Sequence, residues 1–101
     1  MDDDRAALAF DALGNPNRLA VLRLLVRAGE GGLNVSAIRD ALDLPASTLA
    51  HHLSALADAG IVVQEKLGRE LISRADFATI RKMTTFLMQD CCSGVFPVRN
   101  V

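Results

Sequence analysis

The chain has 101 residues, of which 50% are hydrophobic, and a formal net charge of −1 with an isoelectric point of about 6.0. This length suits one domain with a hydrophobic core, and the near-neutral charge excludes a protein that is basic overall, so any footprint for nucleic acid must be local. The three acidic residues after Met1 are the reverse of the basic start of a signal peptide, and no apolar run approaches membrane-spanning length. We therefore expect a soluble cytoplasmic protein that has no contact with a membrane.

The first helices are predicted from their apolar spacing and their polar starts. Residues 4–13 form the first helix, with acidic residues at the end where the helix dipole favours them. Residues 14–16 end it, and Asn17 is the expected N-cap of a second helix. The apolar face expected for that second helix consists of Leu19, Leu22, Leu25 and Val26. After a glycine-containing loop, residues 36–42 are predicted to form a short third helix.

A predicted helix over residues 46–57 has two contrasting faces. Leu49, Leu53 and Leu56 recur at i, i+4 and i+7 and form one apolar stripe toward a core. The opposite face carries short polar side chains, which are Ser47, Thr48, His51, Ser54 and Asp58. A tight Asp-Leu-Pro link joins this helix to the third one. The pair has the proportions of a helix-turn-helix, whose second helix usually enters the DNA major groove.

Residues 61–73 change to a strand-like pattern and predict a short antiparallel hairpin with its turn at residues 67–69. A hairpin directly after a helix-turn-helix is a wing. Lys66 and Arg69 lie at its expected tip, where basic side chains suit phosphates or the minor groove.

Asp76 is the expected N-cap of a last helix with a broad apolar arc. The residues of that arc are Phe77, Ile80, Met83, Thr84, Phe86, Leu87 and Met88. An arc of this width indicates packing against a second copy of the chain as well as against its own domain. These elements make one domain over residues 4–92, followed by a C-terminal tail over residues 93–101 that we expect to be flexible.

Three stretches together resemble the ArsR/SmtB family of dimeric winged-helix repressors. They are ALGNPNRLAVLRLL at residues 12–25, STLAHHLSALADAGIV at residues 47–62 and the hairpin that follows, and the likeness extends over residues 6–92. The resemblance implies a mainly α winged helix-turn-helix with a small β-hairpin, which forms a homodimer through its terminal helices. It also implies a repressor that binds an inverted-repeat operator in double-stranded DNA and leaves it when a metal, metalloid or oxidant occupies a sensor site.

The positions that match the family's base-reading face are Ser47, Thr48, Ala50 and His51, with His52 at the edge. Hydroxyl and neutral imidazole groups can donate to or accept from base edges and phosphates. Two alternatives stay open, in which Ser47 and Thr48 cap the helix and His52 belongs to the packed stripe.

Basic side chains are scarce near this face, because the helix itself has no lysine or arginine. Contacts with phosphates are therefore expected from Lys66 and Arg69 of the wing and from outlying residues such as Arg39. With few such contacts, the salt dependence of DNA binding should be shallow.

The placement of cysteines and histidines selects among the sensor sites of the family. Residues 33–37 lack the thiols of one arsenic and lead site, residues 81–90 lack the histidines of a zinc or nickel site, and residues 18–28 lack the cysteine of persulfide and redox sites. The remaining candidate is the pair Cys91-Cys92. It resembles the site of arsenite-sensing members, in which two adjacent cysteines are followed by a third. This sequence has no third cysteine.

Cys91 and Cys92 are therefore the expected site for a trivalent arsenic or antimony inducer, with no obligatory cofactor. Trivalent arsenic is a soft, thiophilic centre that prefers three thiolates. The third ligand would come from a small thiol or the partner subunit, or the inducer would be a methylated or aryl arsenical that needs only two thiolates. Adjacent cysteines suit such a chelate better than a disulfide, since their Cα atoms are only about 3.8 Å apart. The other interpretation is that both are small hydrophobic residues at a helix end.

Other functions stay open beside arsenical sensing. The chain could be a regulator of the same family without a metalloid ligand, either redox-responsive or constitutive, or a winged-helix module that binds a protein instead of DNA. An enzyme is not expected, because the His51-His52 pair has no nearby nucleophile or carboxylate arrangement. The Cys-Cys pair likewise lacks the spacing of a thioredoxin-type motif.

Overall fold

The computed structural model describes residues 1–96 of the chain, which form five helices and a three-stranded sheet. In chain order the elements are α1 (Asp3–Ala12), α2 (Pro16–Ala28), β1 (Leu33–Asn34), α3 (Val35–Leu42), α4 (Ala46–Asp58), β2 (Val62–Leu67), β3 (Glu70–Ala75) and α5 (Phe77–Met88). This is a winged helix-turn-helix, which confirms the predicted fold class. Of the tail predicted for residues 93–101, residues 97–101 lie outside the described residues.

The hydrophobic core surrounds α4, which lies against α1, α2 and β2. Leu49, Leu53 and Leu56 are all buried, so the apolar stripe predicted for this helix is confirmed. Ile38 of α3 and Ile61, just before β2, complete the same core. Burying the stripe fixes which side of α4 remains available to solvent.

The C-terminal end of α4 passes through Gly60, which follows the capping residue Ala59 and has φ 78°. The N–H of Gly60 donates to the carbonyl of Ala57, and the N–H of Ile61 donates to the carbonyl of Leu56, both at 3.0 Å. These two bonds form a Schellman motif, whose left-handed residue is usually glycine. The chain therefore leaves α4 with its last carbonyls satisfied and enters the wing.

The buried face of α2 differs from the predicted one. The buried residues are Val21, Leu22 and Leu25, whereas Leu19 and Val26 remain 44% and 40% exposed. Apolar residues cover more than one side of this helix, so periodicity alone does not identify the side that packs. Contact with α4 and β3 selects the side that includes Val21.

The N-cap of α2 is Asn15 and not Asn17. Its Oδ1 accepts hydrogen bonds from the N–H groups of Asn17 at 2.9 Å and Arg18 at 3.2 Å. Pro16 occupies the first helical position, where a missing N–H costs nothing, so the residue before it is the natural cap.

The sheet has the order β1-β3-β2 and is antiparallel throughout. β2 and β3 form the predicted wing, and the pairing of Leu67 with Glu70 leaves Gly68 and Arg69 as a two-residue turn. Gly68 has φ 63°, which suits the first position of a type II′ hairpin turn. The sequence did not reveal β1, because two residues are too few for strand alternation to show.

Helix α5 begins at the predicted cap, since Asp76 Oδ1 accepts from the N–H of Thr79 at 3.1 Å. Of its predicted arc only Met83 is buried, while Leu87 and Met88 are 64% and 65% exposed. Helix α1 lies against α5 and also exposes a leucine, Leu8. No helix within residues 1–96 is long and apolar enough to cross a membrane.

Candidate nucleic-acid interface and thiol pair

The predicted helix-turn-helix consists of α3, a short link and α4. At the start of α3, the Oδ1 of the N-cap Asn34 accepts from the N–H of Ala37 at 2.8 Å. At its end, Asp43 adopts a left-handed conformation with φ 52°, and its N–H donates to the carbonyl of Arg39 at 2.7 Å. Pro45 then stands immediately before α4. The link over residues 43–45 therefore ends α3 and leads directly into α4.

Helix α4 turns small and polar side chains to solvent. Ser47, Ala50 and His51 are exposed and Thr48 is half-buried. Four of the five predicted base-reading residues thus lie on the available side of α4, opposite the leucine stripe. Because all but His51 are short, the backbone of the helix can approach a partner closely. Their contact with DNA stays a prediction.

The N-terminal end of α4 has no side-chain cap. The N-cap residue is Pro45, whose side chain cannot accept a hydrogen bond. Ser47 and Thr48 lie inside the helix and do not occupy the N-cap position. The N–H groups at the start of a helix have no partner within it, and they carry the positive end of the helix dipole. Such an end suits an anion, and a DNA phosphate is one.

His52 is a correction to the predicted site, because it does not lie on the exposed side of α4. Its side chain is only 6% exposed, and its Nδ1 accepts a hydrogen bond from the Nε of Arg18 at 3.3 Å. Burial lowers the pKa of His52 below its usual 6.5, and the charges of Arg18 and His51 lower that pKa further. His52 therefore joins α4 to α2 as a neutral, buried imidazole.

The wing presents two basic side chains. Lys66 and Arg69 are both exposed, and neither belongs to an ion pair within residues 1–96. The one ion pair there joins Arg74 to Glu65 across the hairpin at 3.0 Å. The wing tip therefore presents two basic side chains to solvent, and their contact with phosphates stays a prediction.

A polar contact also ties the wing to the helix-turn-helix. The Nδ2 of Asn34, at the start of α3, donates to the Oε1 of Glu70 at 3.0 Å. Neither this contact nor the one between Arg18 and His52 was predicted. Each joins residues more than thirty positions apart in the chain, and periodicity carries no signal for such pairs.

Cys91 and Cys92 follow the last turn of α5, and both are exposed. Their Sγ atoms lie 3.2 Å apart, which is a contact between thiols and well beyond a disulfide bond length of about 2.05 Å. The hydrogen bond between the thiols raises the pKa of Cys91. Within residues 1–96 no group of three or more His, Cys, Asp or Glu side chains is arranged to hold a metal ion. The described part of the chain thus offers two thiols that point at a common space.

The backbone around the thiols is fixed by local bonds. The N–H of Cys91 donates to the carbonyl of Met88 at 3.0 Å, and both Asp90 and Cys92 have left-handed conformations with φ 59° and 64°. The pair therefore occupies a tight turn that continues directly from α5.

Comparison with known proteins identifies several relatives. A helix-turn-helix domain family matches residues 13–65. An uncharacterized HTH-type transcriptional regulator of Methanocaldococcus jannaschii is 45% identical over 65 residues, which are 64% of this chain and 71% of that protein.

Among solved structures, an ArsR-like transcriptional regulator from Rhodococcus sp. RHA1 superposes with a TM-score of 0.75 at 30% identity, covering 85% of this chain and 78% of that chain. The homodimeric winged helix-turn-helix DNA-binding domain of a possible ArsR-family regulator from Mycobacterium bovis has a TM-score of 0.67 at 24% identity, covering 98% of this chain and 97% of that chain. At 24% identity, the similarity to the Mycobacterium bovis domain shows a shared fold.

Proposed function

The chain belongs to the helix-turn-helix domain family of transcriptional regulators, with the fold of ArsR-type proteins, and from this we propose that it is a homodimeric repressor induced by trivalent arsenicals. Proteins of this kind are not enzymes, so the prediction of a non-enzyme is confirmed. The proposal has three parts, which concern the operator, the dimer and the inducer.

The DNA-binding part is carried by the exposed side of α4. Ser47, Thr48, Ala50 and His51 would face base edges in the major groove, where hydroxyls, methyl groups and imidazoles discriminate between base pairs. The uncapped start of α4 and the wing cations Lys66 and Arg69 would contact phosphates on either side. His52 supports the helix from behind.

The dimer part rests on the apolar side chains that α1 and α5 leave exposed. We call Leu8, Leu87 and Met88 the α1/α5 face. The related Mycobacterium bovis domain is homodimeric, and we extend that assembly to this chain. A twofold dimer would set two copies of α4 about 34 Å apart, so that each enters one half of an inverted repeat.

The inducer part rests on the two thiols. Their 3.2 Å separation and exposure allow both to bind one soft centre from solvent. With phenylarsine oxide, two As–S bonds replace the arsenic–oxygen bond, the two thiol protons leave with the oxygen as water, and arsenic stays trivalent. An aryl arsenical fits best, because its carbon occupies the position for which no third thiol exists.

Induction follows from the position of the thiols at the end of α5. A ligand bound there would rearrange the turn after Met88, next to the α1/α5 face, and so change the spacing between the two copies of α4. Coupling of about 1–3 kcal/mol between two sites is typical, which corresponds to a change in affinity of about 5- to 150-fold.

The experiment is a titration of the reduced protein on fluorescein-labelled DNA from its own upstream region, followed by anisotropy. We expect phenylarsine oxide to release the DNA, and arsenite to do so less effectively. Since the chain has only two cysteines, Cys91→Ser and Cys92→Ser each leave one thiol and should bind DNA normally but resist release. Binding that ignores both arsenicals would leave a repressor without a metalloid ligand, whereas no binding to DNA would favour the protein-interaction module.

A further inference from the structure

The hydrogen bond between Arg18 and His52 lies between α2 and the back of α4. Arg18 sits in the first turn of α2, where Asn15 caps its N–H, and its Nε–H points at the Nδ1 of His52. Buried apolar residues of both helices, among them Leu25 of α2 and Leu53 of α4, belong to the same core. The hydrophobic effect is not directional, whereas a hydrogen bond weakens steeply when its angle changes, so this bond adds a directional constraint to the packing of α4.

The neighbour of His52 is His51, which lies about 100° further round the helix and is exposed. The two ring centroids lie 5.9 Å apart. Successive residues of a helix are about 100° apart, so a rotation of α4 that displaces His52 displaces His51 and the other side chains of the exposed face equally. The position of the His52 ring therefore determines the rotation of α4, and with it the direction in which the proposed DNA-facing side chains point.

We propose that Arg18 is a positioning residue, which holds α4 in its DNA-binding rotation through neutral His52, so that DNA binding is lost when His52 takes up a proton. This inference rests on the proposed DNA binding and adds to it a role for a buried imidazole and a half-buried guanidinium behind the exposed side of α4.

The proton is the physical cause. An arginine side chain can only donate, so Nδ1 of His52 must be free of a proton, which places the ring proton of the neutral form on Nε2. Protonation puts an N–H where the acceptor was and sets a second positive charge against the guanidinium. The charged groups that bear on the ring are Arg18 from α2 and His51 from α4 itself, and both oppose its protonation.

Substituting each histidine in turn isolates the role of His52. A proton on His52 breaks the support of α4, and this effect requires the imidazole at position 52. The chain has only these two histidines, so His51→Gln leaves His52 as its only imidazole and His52→Gln leaves His51. The glutamine introduced by His52→Gln is uncharged at every pH, and its side-chain carbonyl can still accept from Arg18.

Binding to the labelled upstream DNA is measured from about pH 7.5 down to about pH 5, because the pKa of His52 in the folded protein lies below the usual histidine value of about 6.5. For His51→Gln we expect affinity to fall toward a limiting slope of about tenfold per pH unit, which a single proton produces. For His52→Gln we expect no such fall. If the affinity of His52→Gln for DNA also falls as the pH is lowered, the proposal is overturned. It is likewise overturned if circular dichroism shows that His51→Gln unfolds over the same pH range.

Arg18 is tested by Arg18→Lys, which keeps the charge but loses the planar Nε–H. We expect about tenfold weaker DNA binding at pH 7.5, the scale of one charge-assisted hydrogen bond, with unchanged far-UV circular dichroism. Arg23→Lys, at an exposed position of the same helix, is the matched control and should bind like the wild type. Equal binding by both variants overturns the positioning role.

A measurement without DNA separates this proposal from the proposed function. In ¹⁵N spectra of the free protein, we expect the ring of His52 to be the Nε2–H tautomer at neutral pH, and its titration to shift the amide signals of residues 47–51. A failure of the wild type to bind DNA would sink the proposed function and the DNA part of this inference. An Nδ1–H tautomer, or amide signals indifferent to the titration, would refute the link between Arg18 and α4 itself.

Discussion

Gly32 lies where the loop after α2 crosses β3 at close range. Its φ is 68°, and a Cβ at this position would collide with the carbonyl oxygen of Ser73 and approach Cγ of Arg74 to 2.7 Å. Ser73 is buried within β3 and cannot move away freely. Both the backbone conformation and the space therefore require glycine.

We expect Gly32→Ala to lower the free energy of unfolding by about 2–4 kcal/mol, because it adds a steric collision to the cost of a positive φ. Urea denaturation measures this directly. Gly60→Ala is the matched control, since Gly60 has φ 78° in the Schellman motif after α4 but open space where a Cβ would lie, and should cost only about 1–2 kcal/mol. Equal losses in the two variants would show that the approach to β3 contributes nothing.

His52 also makes stability depend on pH. Its pKa is lowered in the folded protein, so between that pKa and the ordinary value of 6.5 the unfolded chain binds more protons than the folded one. The contribution of His52 to the free energy of unfolding should therefore be constant above pH 6.5. It should decrease as the pH falls from 6.5 toward the lowered pKa of the folded protein. Urea midpoints of the wild type and His52→Gln measure this, and identical pH dependence in both would contradict it.

Among the elements, α4 shows what the sequence can predict and α2 shows where it stops. In α4 only one side is apolar, so the stripe at Leu49, Leu53 and Leu56 had a single interpretation. In α2 apolar side chains occur on several sides, and packing against α4 and β3 decided which were buried. Strand β1 was missed for a different reason, since its two residues become a strand only by pairing with β3.

The candidate site divides in the same way. The thiols of Cys91 and Cys92 were predictable as a pair because adjacent residues are always close. The exposed residues of α4 were predictable from the position of its stripe. His52 was not, because a histidine beside a leucine stripe can point either way, and the side chain that decides it, Arg18, is 34 positions earlier in the chain.

The start of α4 offers a test of phosphate binding. Pro45→Asp should leave stability nearly unchanged, since a new side-chain cap contributes about 1 kcal/mol and the lost rigidity of proline costs a similar amount. Its carboxylate would occupy the N–H groups that we assign to a phosphate and would repel that phosphate, so we expect DNA binding to weaken about tenfold or more. Anisotropy titrations measure this.

Pro45→Asn is the matched control, because asparagine caps a helix about as well but has no charge. It should weaken DNA binding less than Pro45→Asp does. If both variants bind DNA like the wild type, no phosphate lies at the start of α4.

The wing makes a separate electrostatic prediction. Lys66→Ala and Arg69→Ala should each weaken DNA binding and reduce the slope of log affinity against log salt concentration by about 1, as expected when one phosphate contact is lost. Anisotropy titrations at several salt concentrations give the slope. Arg27→Ala removes an exposed arginine of α2 and should leave the slope unchanged. A wild-type slope in both wing variants would place the wing away from DNA.

For the whole molecule, the α1/α5 face predicts the assembly state. A charge placed in a buried apolar interface is costly unless it is paired, so we expect Leu87→Glu to convert a dimer into a folded monomer that binds the operator poorly. Light scattering after size-exclusion chromatography measures the mass. Val26→Glu alters an exposed apolar residue on α2 and should stay dimeric. If Leu87→Glu stays dimeric like Val26→Glu, or if the wild type is a monomer, the chain does not dimerise through this face.

The sparse basic charge of the side that we propose faces DNA bears on how such a protein would find its target. Affinity for random DNA comes almost entirely from phosphate contacts, and α4 has no lysine or arginine while the wing tip has two such residues. The bulk of a chromosome would therefore sequester few molecules, and most of the unbound copies would diffuse freely. A small number of copies per cell would then suffice to occupy one operator, and each would reach it by collision from solution more than by sliding along the duplex.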